Sequence, residues 1–125
     1  MITKKLKYED YLGNVREDEF MFHLKKTELL DLNAAKEGGF LSYIQKIIDS
    51  KDEGKLWIAF KEIVELSYGN RSEDGLRFIK SPEFTKEFEE TEAFPTLITE
   101  FIEVPGAAEA FINGIIPADM NTKAE

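Results

Sequence analysis

The apolar residues of this chain change their period once, near Thr27, and that change constrains the fold more than any other feature. Before it they recur at every second position, the spacing of a strand with one buried face. Ile2, Leu6, Tyr8 and Leu12 share one parity in the first run. In the second, Phe20, Phe22 and Leu24 fall on one face, with Glu19, Met21 and His23 opposite. Gly13 lies between the runs and is free to take φ > 0, so residues 3–24 are expected to form a β-hairpin. An isolated hairpin is barely stable in water, and the rest of the chain has to cover its apolar side.

Beyond Thr27 the period is helical. Thr27-Glu28 reads as a capped helix start and Gly38-Gly39 as its end. Phe40, Ile44, Ile47 and Ile48 mark the next apolar face. A third helix opens at Asp52-Glu53, carries Trp57, Phe60 and Val64, and stops at Gly69. The polar run Asn70–Gly75 is the most loop-like stretch of the chain. Ser81-Pro82-Glu83 starts a fourth helix, with a hydroxyl cap and proline in the first turn. Thr91-Glu92 opens a fifth, whose stripe is Phe94, Leu97, Ile98, Phe101 and Ile102. After Val104-Pro105-Gly106 a last helix is expected over Ala107–Asn113, with Gly114 as its cap.

The expected fold is mainly α, one domain over 1–125. An N-terminal β-hairpin (1–24) packs on a bundle of five or six helices (25–117), and 118–125 form a polar, frayed tail. Phe22, Phe40, Ile44, Trp57, Phe60, Val64, Phe101 and Phe111 make up the expected core.

Composition removes whole classes of function. Acidic residues number 25 against 16 basic, a formal charge of −9 and a pI of about 4.7. A nucleic-acid surface needs clustered Lys and Arg to displace counterions, and the clusters here, Lys4-Lys5-x-Lys7 and Lys25-Lys26, are short. Ten Phe residues argue against a disordered chain. The absence of Cys removes disulfides, thiolate catalysis and Cys-ligated zinc. Met1–Tyr8 lacks the apolar segment of a signal peptide, and no run is long enough for a membrane span, so the expectation is a soluble, intracellular protein.

Motifs for chemistry are also missing. Gly54-Lys55 lacks both the upstream glycine and the following hydroxyl of a phosphate-binding loop. Asn70–Ser81 begins like a calcium loop but ends on Ser81 where a bidentate Glu is required. His23 is the only histidine and is expected on the exposed strand face. Carboxylate pairs such as Glu62/Glu65 and Glu89/Glu90 are too abundant to single out. No catalytic, cofactor-binding or metal-ligating residue is expected. What remains is surface for binding. The stripe Phe94–Ile102 reads as core, whereas Phe111, Ile112, Ile115 and Ile116 lie beside the polar tail and are the candidate partner-binding residues. Alternatively, Ile115 and Ile116 complete the hydrophobic contact of a helix cap.

Several stretches carry a resemblance by their order: Tyr8-Glu-Asp-Tyr-Leu-Gly, Glu19-Phe-Met-Phe-His-Leu, Thr27-Glu-Leu, Tyr68-Gly-Asn-Arg-Ser-Glu-Asp-Gly-Leu-Arg-Phe-Ile-Lys-Ser81, Thr91-Glu-Ala-Phe94 and Phe111-Ile-Asn-Gly-Ile-Ile-Pro117. In this order and spacing, over about residues 8–118, the chain resembles the tail assembly chaperone family of long-tailed (siphovirus-type) bacteriophages and prophages of Gram-positive bacteria. The resemblance implies a non-enzymatic role without cofactors. Such a protein keeps the tape measure protein soluble and helps recruit tail tube subunits around it. It acts in the host bacterial cytoplasm, is absent from the mature virion, and is often made also in a longer, frameshifted form. A homo-oligomer is compatible with this role. None of the shared stretches is a catalytic motif, so no residue takes a role from the resemblance. Two alternatives are an acidic phage-encoded inhibitor that mimics DNA and a structural tail component.

Overall fold

A computed structural model describes residues 1–117; the tail expected over 118–125 lies outside the described residues. The hairpin forms where the alternation places it. Strands β1 (Ile2–Glu9) and β2 (Val15–Phe22) pair antiparallel from Ile2↔Phe22 to Glu9↔Val15. The Asp10 carboxylate accepts the backbone N–H groups of Leu12 and Asn14, both at 2.9 Å, and Gly13 takes φ 86°. That side chain shapes the turn because it satisfies donors the ladder leaves free.

The mainly α expectation is corrected by two further strands. After helices α1 (Lys26–Ala35), α2 (Phe40–Ser50) and α3 (Glu53–Ser67), the chain forms β3 (Tyr68–Arg71) and β4 (Phe78–Ile79). Strand β3 pairs with β2 through Met21↔Gly69 and Phe22↔Tyr68, giving one antiparallel sheet in the order β1-β2-β3-β4. The run Asn70–Gly75 therefore belongs to a second hairpin, and the fold is α+β. Strands of four and two residues are too short to show alternation. Gly69 is not a helix stop. A Cβ there would lie 2.6 Å from the Ile79 carbonyl oxygen and 2.7 Å from the Phe78 ring, so only glycine allows this close approach.

Helices α4 (Pro82–Glu89), α5 (Ala93–Glu103) and α6 (Ala107–Ile115) follow, and among the described residues the helix count and the packing of the first hairpin on helices follow the expectation. Local chemistry sets most starts. Ser81 Oγ accepts from Glu83 N–H at 3.1 Å, and Asp52 accepts from Lys55 N–H at 3.2 Å. α1 begins at Lys26 rather than after Thr27, because the Glu28 carboxylate reaches back to the Lys25 N–H at 2.8 Å. The cap of α2 comes from a neighbour: Asn33 Oδ1 accepts the Phe40 N–H at 2.8 Å. α6 runs through Gly114, where a Cβ would meet Ile2 Cδ1 at 2.9 Å, so glycine lets the helix lie against β1.

α5 is the central helix, touching β1, α3, α4 and α6. Aromatic rings join the layers: Tyr68 stacks on Phe88 at 4.7 Å, Phe22 meets Phe111 at 5.0 Å edge-on, and Phe101 meets Phe60 at 5.3 Å. Seven of the eight expected core residues are buried; Trp57 is not, with 40% of its surface exposed. The buried face of α3 runs through Ala59, Phe60, Ile63, Val64 and Ser67, and Trp57 stands at its margin. His23 departs from expectation too. It is half-buried because the second hairpin brings Phe78 edge-on to its ring at 5.8 Å. Burial first, then nearby positive charge, lowers its pKa. Lys80 ties this hairpin to the helices, donating to the Leu66 carbonyl at 2.7 Å and to Glu28 at 2.8 Å.

Candidate functional site

The four candidate residues at the C-terminal end come together, but mostly inside the molecule. Phe111, Ile115 and Ile116 are buried and Ile112 is half-buried. The Phe111 ring lies 4.7 Å from Phe101, and the Ile115 carbonyl accepts the Leu24 N–H at 2.9 Å. α6 closes onto the sheet, and its last residues complete the core.

A different surface stays uncovered. At the tip of the first hairpin Tyr11 and Leu12 are 75% and 87% exposed, with Val15 beside them. Tyr11 leans toward the start of α5, where its hydroxyl donates to the Glu92 carboxylate at 2.7 Å. Between this tip, the first turns of α5 and the margin of α3 lies a shallow, open cleft of about 320 Å³, walled by Tyr11, Trp57, Phe94 and Pro95. Trp57 and Phe94 hold each other with ring centroids 6.0 Å apart. Two further shallow recesses continue it around Tyr11 and Glu92 toward Tyr8 and Asp10.

The cleft has an acidic rim. Glu89 and Glu92 line it, and Glu9, Asp10, Glu90 and Arg16 line the recesses that continue it. Arg16 is already engaged, 3.1 Å from Asp18 and 3.8 Å from Asp10. Lys61 stands 5.9 Å above the Trp57 ring. On the wall by α4, burial, a hydrogen bond shared with Glu65 and the charge of Glu65 push the Glu89 carboxyl up to about 7, with Lys61 opposing. One Glu89 oxygen is buried without a partner.

Sequence reasoning missed this surface for two reasons. Leu12 keeps the parity of the buried strand face but stands in the turn, and Trp57 keeps the helical spacing of Phe60 and Val64 but stands one turn too early. An aromatic residue beside the polar start Asp52–Lys55 was the available signal.

Among the described residues no group of three or more His, Asp or Glu side chains could hold a metal, and no helix is long and apolar enough to cross a membrane. The fold and its open, charged-rimmed cleft define a small α+β protein whose exposed features suit contact with another macromolecule. The family model described as phage tail assembly chaperone matches residues 1–125, and the chain belongs to that family. No curated protein and no solved structure matches it.

Proposed function

We propose that this chain is a non-enzymatic chaperone of a long-tailed phage that binds the tape measure protein, keeps it soluble and helps recruit tail tube subunits around it. The observation that carries the reading is membership of the tail assembly chaperone family over the whole chain. The charge of −9 fits the task, because like-charged complexes resist clumping while apolar helices are held. The site of action is the host bacterial cytoplasm, in this reading of a Gram-positive host, and the protein is left out of the mature virion. Phe111, Ile112, Ile115 and Ile116 enter the proposal only as a site uncovered if α6 leaves the sheet, since three of them are enclosed by their own chain.

Co-expression with the tape measure protein of the same phage tests the reading. The tape measure chain should be soluble and co-purify with this protein, and insoluble without it; purified particles should contain none of this protein. A tape measure chain that stays insoluble in both cases would overturn the chaperone role. Stoichiometric amounts in particles would make the protein a structural component.

A further inference from the structure

We infer that the cleft between the hairpin tip and the start of α5 is the docking site for an amphipathic helix whose apolar stripe is bordered by Lys and Arg. The inference rests on the reading of this chain as a holder of another protein's helices, and it names the surface and the chemistry of what is held.

Three observations lead to it. First, Tyr11 and Trp57 line the cleft and are large side chains left to solvent, and Leu12 beside Tyr11 in sequence is exposed as well. Second, the cleft is shallow and open, so it suits a few anchor side chains of a macromolecule rather than an enclosed small ligand. Third, Glu89 and Glu92 line it and Glu9, Asp10 and Glu90 line the recesses that continue it, against Lys61, 5.9 Å above the Trp57 ring, and Arg16, which is paired with Asp18. An occupant with basic flanks complements that lining; a Glu-flanked one is repelled by it.

Two other occupants fit less well. A second copy of this chain would bring another −9 to an acidic rim. An added strand would need an inviting sheet edge, whereas the outer strand β1 carries Lys4, Lys5 and Lys7, a pattern that discourages edge pairing. A helix instead reads a groove through side-chain anchors, which is what the cleft provides.

The chain contains one tryptophan, and it lines the cleft, so its emission reports occupancy directly. The probes are two Trp-free synthetic helices of about 20 residues with the same leucine stripe, one flanked by Lys and one by Glu. At about 0.05 M salt the Lys-flanked helix should shift Trp57 emission to the blue and bind roughly tenfold or more tighter than the Glu-flanked one. At about 1 M salt, where screening acts within roughly 3 Å, the preference should shrink while apolar binding persists. Tyr11→Ser and Leu12→Ser should each weaken binding roughly tenfold, whereas Val104→Ser, exposed beyond the far end of α5, should not. Unchanged thermal melts of these variants establish that the fold is intact.

Equal affinity for the two helices, no change in Trp57 emission, or full binding by both tip variants would each overturn the proposal. An emission shift that depends on protein concentration alone would assign the cleft to a second copy. Co-expression separates this failure from that of the chaperone reading. If both wild type and the tip variants keep the tape measure protein soluble, the cleft is wrong and the chaperone stands; if wild type itself fails, the chaperone reading falls.

Discussion

The C-terminal end and the hairpin tip are both apolar in sequence, and the fold treats them oppositely. Phe111 and Ile115 lie in α6 and Ile116 just after it, next to a polar stretch of sequence, yet they are sealed against Phe22, Phe101 and the backbone of Leu24. Tyr11 and Leu12 continue a strand whose inward residue Leu6 is buried, yet they stand in solvent. Apolar character therefore does not separate core from contact surface here. What separates them is whether another element arrives to cover them. α6 closes over its end because Gly114 leaves room for Ile2, and nothing among the described residues closes over the hairpin tip.

The sharpest way to break this contrast is to charge the C-terminal end. Ile115→Asp/Ile116→Asp should abolish cooperative thermal unfolding by circular dichroism. Each unpaired buried carboxylate costs on the order of 3–5 kcal/mol, and a domain holds only about 5–15. A folded double variant would mean that α6 is readily displaced, and would revive the C-terminal residues as a binding surface. Next in size is the pair Phe101→Ala and Trp57→Ala, compared by urea midpoints. The buried ring should cost about 3–5 kcal/mol, and the half-open one about 1.

A smaller effect concerns Glu89 in the cleft wall. The folded state holds its proton to about pH 7, while the unfolded chain releases it near 4.5. The stability this group contributes is intact below the unfolded value and is lost as pH rises through about 7. Glu89→Gln keeps a donor toward Glu65 without titrating. Its stability relative to wild type should therefore improve between about pH 5 and 8, as followed by melting temperature. A constant difference across that range would show that Glu89 is ionised throughout. The least effect is expected from Tyr11→Phe, which deletes only the exposed hydrogen bond to Glu92 and should leave the melting temperature unchanged.

Much of the scaffold was legible. The alternation of Leu6, Phe20, Phe22 and Leu24 and the chemistry of Asp52, Ser81 and Pro82 mark the first hairpin and several helix ends, because those signals act within a few residues. Strands β3 and β4 were not legible: only Tyr68 and Gly69 meet the first hairpin, and their pairing depends on β2, far away in sequence. Trp57 failed for the same reason. Its spacing is right for a buried face, but burial is a property of two surfaces, and the sequence displays one at a time.

By itself, then, the sequence determined the period change at Thr27, the absence of thiols, the acidic charge, and the ordered stretches that resemble a family of tail assembly chaperones. Those are local or compositional quantities, set before any distant residues meet. The tertiary structure alone decided that two short strands extend the sheet, that α6 seals the core, and that acids from the first hairpin, α4 and the start of α5 converge around Tyr11 and Trp57. Each depends on contacts between segments distant along the chain, whose closure is stabilised only when the whole core forms.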